Sequence, residues 1–208
     1  MNKILLACVL AVSATAVFAD DFENLAKRCA PTVAADTLRA LVKTESSFNP
    51  YAVGVVGNPI AQPKSFHEAM SAIARLELTG ANYSVGLAQI NKANFSKYGI
   101  DASKALDACT NLKVAAKILG ECFTKAQKTG ASEEKALHDA LSCYYSGNFK
   151  TGYKQGYVNS VRQNAGLSAQ VPSIAANSSD SSESKTVPDS LTQSLVTSAS
   201  ENKRGLIF

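Results

Sequence analysis

Apolar residues recur at three- and four-residue spacing along most of the chain, which is the repeat of an amphipathic helix with one buried face. The first clear stripe ends near residue 46, and later stripes fill residues 66–76, 112–126 and 137–144. The apolar positions of these four stripes are Leu38, Leu41 and Val42; Phe66, Met70, Ile73 and Leu76; Leu112, Ala115, Ala116, Leu119, Phe123 and Ala126; and Leu137, Ala140, Leu141 and Tyr144. The pattern predicts a chain that is helical almost throughout, with no internal repeat.

Turn and capping residues separate these helices. Asn49 and Pro50 end the first helix, because the residue before a proline disfavours helical geometry. Ser65 and Glu68 have the spacing of a capping box at the start of the second helix. Residues 51–64 contain two glycines and two prolines, so we expect a loop there with a short hairpin.

One acidic residue falls on the apolar stripe of the first helix. Glu45 lies seven residues after Leu38, four after Leu41 and three after Val42. A carboxyl group on that face is poorly solvated, which raises its pKa and keeps it protonated near neutral pH, as a general acid requires. The alternative is that Glu45 is the exposed end of a fraying helix, and periodicity alone leaves both interpretations open.

The N-terminus has the pattern of a secretory signal peptide. Lys3 is followed by an apolar run over residues 4–12 and then by small residues that include Val17 and Ala19. The apolar run is too short to span a bilayer. We therefore expect residues 1–19 to be removed, with export of the mature protein and no stable membrane anchor.

The C-terminal part has the composition of a disordered segment. Residues 173–200 hold ten serines among 28 positions and few residues that could form a core. Together with the signal peptide, this predicts one globular domain over residues 20–167 and a Ser-rich disordered tail over residues 168–208.

Cysteine usage fits an exported protein. Outside the predicted signal the chain has four cysteines, an even number that suggests two disulfides with three possible connectivities. We favour Cys29–Cys109 with Cys122–Cys143, since the second pair would link two adjacent helices. A thiol peptidase built on Cys143 and His138 is an alternative that requires a free Cys143. No cysteine or histidine spacing indicates a metal site.

The charge is only mildly informative. The whole chain carries +4, and it has no basic cluster of the kind that binds nucleic acid, so we expect no nucleic-acid partner. A modest positive charge suits an anionic polymer such as cell wall.

Amides and tyrosines recur in the second half of the chain. Gln89 lies within an apolar run, where an unpaired amide would be costly. Tyr144, Tyr145, Tyr153 and Tyr157 follow within 70 residues of it. Such a set is typical of a sugar-binding cleft, although core tyrosines and a satisfied backbone cap would produce the same pattern.

Four short motifs occur in an order that resembles a known family. They are Glu45-Ser46, Gly86-Leu87-Ala88-Gln89-Ile90, Tyr144-Tyr145-Ser146-Gly147 and Gly156-Tyr157-Val158. Over residues 25–165 the chain resembles the lytic transglycosylases of the soluble-transglycosylase type, and most closely the branch that serves type IV secretion systems. The resemblance implies a mainly α fold, with a goose-lysozyme-like helical domain followed by the disordered tail.

The resemblance also implies roles for individual residues. Glu45 would be the catalytic acid and base, supported by Ser46. Gln89, Tyr144 and Tyr157 would shape the glycan cleft or hold the glutamate. No metal or other cofactor is expected.

The chain departs from the family pattern at two positions. Ala88 stands where many relatives carry methionine, a change shared with the secretion branch. Tyr145 stands where asparagine is usual. If that asparagine contacts substrate, Tyr145 must replace its amide with a hydroxyl farther out, or the role is lost.

The implied reaction is cleavage of peptidoglycan glycan strands in the periplasm. Glu45 would protonate the oxygen between N-acetylmuramic acid and N-acetylglucosamine, and the muramyl C6 hydroxyl would then attack C1 of its own ring. The implied partners are peptidoglycan and type IV secretion components. Two alternatives remain: a hydrolase of the same fold that uses a second carboxylate such as Asp101 or Glu77, and a mainly non-catalytic assembly module.

Overall fold

The computed structural model describes the backbone of residues 15–57 and 59–166, with side chains from residue 21 onward. The predicted tail, residues 168–208, lies outside the described residues, as does most of the predicted signal peptide, residues 1–19. Both stay predictions.

Helices make up most of the described chain, as the periodicity predicts. They are α1 (Thr15–Cys29), α2 (Ala35–Ser46), α3 (Phe66–Leu78), α4 (Phe95–Tyr98), α5 (Ala102–Ala105), α6 (Ala108–Gln127), α7 (Glu133–Ser146), α8 (Thr151–Lys154) and α9 (Tyr157–Asn164). No helix in the described ranges is both long enough and apolar enough to cross a membrane.

A small antiparallel sheet accompanies the helices. Its strands are β1 (Val53–Val55), β2 (Tyr83–Val85) and β3 (Ile90–Asn91), in the order β1-β2-β3. Val53 pairs with Val85, and Val85 also pairs with Ile90. The prediction of a hairpin within residues 51–64 was wrong. The described part of that segment supplies β1 alone, and the strand that pairs with it is β2, outside the segment.

The core is built around α6 and α7. These two helices pack along each other, and α1, α2 and α9 close the main hydrophobic cluster around them. A second, smaller cluster lies between the sheet, α3 and α5; its buried members are Val53, Ala69, Ile73, Tyr83, Val85, Ala105 and Leu106. The loop that joins β2 to β3 connects the two clusters, since Val85 belongs to the smaller and Leu87, Ala88 and Ile90 to the larger.

Both favoured disulfides are confirmed. Cys29–Cys109 joins the end of α1 to the start of α6, and Cys122–Cys143 links α6 to α7. The capping box is confirmed in its first half, because the Ser65 hydroxyl accepts from the Glu68 N–H at 3.2 Å. The Glu68 carboxylate accepts from the Lys64 N–H at 2.9 Å, one residue before the position that the motif predicts.

Candidate active site

Glu45 lies on the last turn of α2, three residues after Val42, which is fully buried together with Leu38 and Leu41. The residue keeps some exposure, yet desolvation of its carboxyl group raises the pKa from the usual 4.5 to about 7. The Tyr157 hydroxyl donates a hydrogen bond to Glu45 Oε1, which opposes part of that rise. Glu45 therefore belongs to the buried face of α2, and the interpretation as a fraying, solvated helix end is not supported.

The turn that follows Glu45 has an unusual backbone. Ser47 and Phe48 both have positive φ, at 51° and 67°, a region that costs a residue other than glycine about 1 kcal/mol or more. Asn49 holds the turn from the far side, since its Oδ1 accepts from the Tyr51 N–H at 2.9 Å and its amide donates to the Pro63 carbonyl at 3.0 Å. The hydrogen bonds of Asn49 thus help to hold the strained turn after Glu45 in one conformation.

The turn is also anchored to α1. The Phe48 ring meets the Phe22 ring edge to face, with 5.2 Å between centroids. Ser46, predicted to support Glu45, donates its hydroxyl to the Val42 carbonyl at 3.3 Å, within its own helix. A role of Ser46 toward the acid or the substrate stays a prediction.

Two predicted tyrosines approach Glu45 from different helices. Tyr157 is the first residue of α9 and Tyr144 lies near the end of α7, and both are buried. Burial raises the pKa of each phenol, and the negative charge of Glu45 raises it further. Both hydroxyls are therefore protonated donors at physiological pH: Tyr157 donates to Glu45, and Tyr144 donates to the Ala88 carbonyl at 2.6 Å.

Gln89 ends the loop between β2 and β3. Its φ of 48° is left-handed, and its Nε2 donates to the Ala52 carbonyl at 3.2 Å and to the Gly86 carbonyl at 2.9 Å. The amide is thus paired with backbone carbonyls, which is the alternative to a sugar contact that the sequence left open. Contact with a glycan stays a prediction.

Asn111 fixes the same loop, and the sequence offered little sign of it. The side chain is fully buried at the start of α6. Its Oδ1 accepts from the Ala88 N–H at 2.8 Å, and its Nδ2 donates to the Val85 carbonyl at 3.0 Å and the Ala105 carbonyl at 2.6 Å. The spacing to Ala88 is 23 residues, so no local pattern relates the two; a polar residue directly before the apolar stripe of α6 was the only available signal.

Gly86 makes room for that amide. Its φ is +81°, and a Cβ there would clash with the Asn111 amide and lie 2.8 Å from the Ala105 carbonyl oxygen. The glycine in the motif is thus required both by backbone conformation and by the close approach of α6.

The residues of the alternative chemistries are engaged elsewhere. Cys143 is bonded to Cys122, which removes the thiol peptidase. Asp101 caps α5 by accepting from the Lys104 N–H at 2.8 Å. Glu77 accepts from the Tyr83 hydroxyl at 2.5 Å, and this hydrogen bond is the main reason that its pKa is lowered. Within the part of the chain that the structure describes, no group of three or more His, Cys, Asp or Glu side chains could hold a metal ion.

Comparison with known proteins agrees with this arrangement. Residues 24–165 match the family described as the transglycosylase SLT domain, a stretch that contains Glu45, the loop at Gln89 and both tyrosines. The chain belongs to this family. The lysozyme-like, mainly α fold expected from the sequence is thereby confirmed.

The chain is also similar to curated proteins that carry the name virB1. It is 49% identical over 135 residues to the type IV secretion system protein virB1 of Brucella suis biovar 1 (strain 1330), covering 64% of this chain and 57% of the relative. It is 37% identical over 165 residues to protein virB1 of Agrobacterium fabrum, covering 78% of this chain and 66% of the relative. The chain thus spans less than two thirds of the length of these relatives. No solved structure matches it significantly.

Proposed function

We propose that this protein is a peptidoglycan lytic transglycosylase in which Glu45 is the single catalytic acid and base. One observation carries the proposal: the carboxyl group of Glu45 is desolvated to a pKa of about 7 and is held by the Tyr157 hydroxyl. A group with this pKa is present in both protonation states at neutral pH, so it can give a proton and later take one. Membership of the transglycosylase SLT domain family supports the assignment.

The first step uses the protonated form. Glu45 donates its proton to the glycosidic oxygen between N-acetylmuramic acid and N-acetylglucosamine, and the bond from that oxygen to C1 breaks. The carboxylate left behind is stabilised by the hydrogen bond from Tyr157.

The second step uses the carboxylate. It takes the proton of the muramyl C6 hydroxyl as that oxygen bonds to C1 of the same sugar, which closes a 1,6-anhydro ring and returns Glu45 to its protonated form. Because the nucleophile is part of the substrate, its effective concentration is high, an advantage worth about 7–11 kcal/mol in well-oriented cases. A second carboxylate of the kind that flanks the bond in ordinary glycosidases is then unnecessary.

The relatives named virB1 support a cellular setting for this reaction. The Brucella suis relative is a type IV secretion system protein by name, and the Agrobacterium fabrum relative shares the name virB1. We propose that the mature protein acts in the periplasm on glycan strands, opening the wall locally where a type IV secretion system assembles. The two disulfides are consistent with an oxidising compartment.

Mass analysis of digested peptidoglycan tests the reaction. The purified mature protein should release muropeptides that end in 1,6-anhydro-N-acetylmuramic acid, which are lighter by one water than the reducing products of a hydrolase. Glu45→Gln should abolish release, whereas Asp101→Asn and Glu77→Gln should retain it. Reducing ends as the main product would establish hydrolysis instead, and full activity in Glu45→Gln would remove the catalytic assignment altogether.

A further inference from the structure

Tyr145 is buried against the residue that holds Glu45. Its ring lies parallel to the Tyr157 ring, with 4.5 Å between centroids and 19° between planes. Its hydroxyl donates to Gln155 Oε1 at 2.6 Å. Tyr145 therefore has its ring and its hydroxyl both engaged by protein groups.

The two groups that Tyr145 contacts flank a single glycine. Gln155 is the C-cap directly after α8, Gly156 follows with a left-handed φ of 73°, and Tyr157 begins α9. Tyr145, on α7, therefore contacts the residue before Gly156 and the residue after it. Glycine has more backbone freedom than other residues, and a contact on each side of Gly156 restricts the direction in which α9 begins.

We infer that Tyr145 is a positioning residue, which holds the Tyr157 ring where its hydroxyl reaches Glu45. The catalytic consequence rests on the proposed function, whereas the contact between the three side chains does not. Asparagine, the residue that the family resemblance expects at this position, has no ring to stack on Tyr157. The departure at Tyr145 thus gives this chain a packed support for Tyr157, and the substrate contact considered from sequence is unnecessary to explain it.

Other contacts keep α9 attached to α2 when Tyr145 is altered. The Asn164 amide donates to the Thr44 hydroxyl at 2.9 Å, and Val158 and Val161 are buried in the main cluster. Loss of the Tyr145 ring should therefore loosen the Tyr157 side chain without releasing the helix.

The other titratable and charged groups near α2 must be considered as possible causes of a change in the pKa of Glu45. Tyr144, from α7, is the other phenol that senses its charge. On α1, Glu23 forms ion pairs with Lys27 and with Arg39 of α2. Arg39 lies in the first half of α2, whereas Glu45 lies on its last turn. Lys43, on α2 itself, is directed at the Phe48 ring.

Arg162, the cation of α9, influences groups other than Glu45. Burial is the main cause of the lowered pKa of His138 on α7, and the charge of Arg162 lowers it further. For Glu45 itself, burial raises the pKa and the Tyr157 hydrogen bond lowers it. A looser Tyr157 should therefore raise that pKa, because the hydrogen bond favours the carboxylate.

A titration of Glu45 followed by carbon NMR tests the inference without substrate, with Glu45→Gln used to assign the carboxyl resonance. In Tyr145→Leu, which lacks both ring and hydroxyl, the Glu45 pKa should rise by about 0.5–1 pH unit, a fraction of what a hydrogen bond to a charged group provides. Tyr145→Phe and Gln155→Ala, which keep the stacked ring, should give smaller rises of the same sign. Tyr153→Phe is the matched control, because its hydroxyl bonds to Asp139 at 2.8 Å and not to the site, so it should leave the titration unchanged.

The outcomes separate this inference from the proposed function. A folded Tyr145→Leu protein in which Glu45 titrates as in the wild type overturns the inference, as does an equal shift in Tyr153→Phe. Should Tyr145→Leu not fold, unchanged titrations in both Tyr145→Phe and Gln155→Ala overturn it equally. A wild-type protein without transglycosylase activity would refute the proposed function while the titration still decides the role of Tyr145. In an active enzyme, the alkaline limb of kcat/KM should move to higher pH with the Glu45 pKa, which a general loss of packing would not cause.

Discussion

Glu45 should make the folded protein less stable at alkaline pH, and Glu45→Gln tests this directly. Its folded-state pKa of about 7 lies above the usual value of 4.5 that it has in an unfolded chain. Between these two values the folded state holds a proton that the unfolded state has lost, so stability falls as the pH rises through this window. Below pH 4.5 both states are protonated and the effect disappears.

The magnitude follows from the two pKa values. A difference of this size corresponds to about 3 kcal/mol between pH 4.5 and pH 8, and partial solvent access makes that figure an upper limit. Glutamine has nearly the same shape, carries no charge at any pH, and keeps a carbonyl oxygen that can accept the Tyr157 hydrogen bond. Glu45→Gln should therefore be more stable than the wild type by about 2–3 kcal/mol at pH 8 and nearly equal to it at pH 4.

Urea denaturation at a series of pH values between 4 and 8.5, with both disulfides intact, measures the difference. Glu133→Gln is a suitable control, since Glu133 is an exposed carboxylate in the first turn of α7 and its replacement should change stability only slightly. A Glu45→Gln protein that gains no stability at pH 8, or gains the same amount at pH 4, would refute the claim that this carboxyl group is desolvated. If Glu45→Gln loses activity and gains stability, then Glu45 serves function while lowering the free energy of unfolding.

Three further substitutions test the supports of the site. Asn111→Asp keeps the acceptor for the Ala88 N–H but removes both donors, so urea denaturation should show a loss of about 2–4 kcal/mol, with a lower kcat because the Gln89 loop loses its anchor. Tyr144→Phe leaves the Ala88 carbonyl without its donor and should cost about 1–3 kcal/mol by the same measurement, with kcat reduced more than KM. Replacing Cys122 and Cys143 together by alanine opens a crosslink of sequence separation 21 and should cost about 3 kcal/mol while peptidoglycan cleavage persists at low temperature, in contrast to the other two changes.

Local patterns in the sequence predicted the helices and the burial of Glu45, because both depend on spacing along one helix. The stripe of Leu38, Leu41 and Val42 is fully buried, and Glu45 follows it onto the same face. The hydroxyl that balances this burial belongs to Tyr157, 112 residues farther along the chain. Periodicity can indicate that a carboxyl group is buried, but only the tertiary fold determines which donor meets it.

The sheet and its loop were harder to predict for a related reason. Strands of two or three residues, such as Ile90–Asn91, are too short to show alternation, and their pairing partners are distant in sequence. The loop conformation depends on an amide from α6 that enters the space left by Gly86. Neither Gly86 nor Asn111 indicates in the sequence that the other is its neighbour. Their contact is seen only in the tertiary structure.

The pKa of Glu45 is best understood as a balance between two parts of the fold. Burial at the end of α2 raises it, and the phenol from α9 limits the rise, so the group titrates near the pH at which it would work. Burial is maintained by the whole core, whereas the phenol depends on one side chain at a glycine junction. The position at which this chain departs from its family pattern, Tyr145, packs directly against that side chain. Tyr145 in place of asparagine is thus compatible with the proposed catalysis, because its ring supports Tyr157, the more easily displaced of the two influences on the pKa of Glu45.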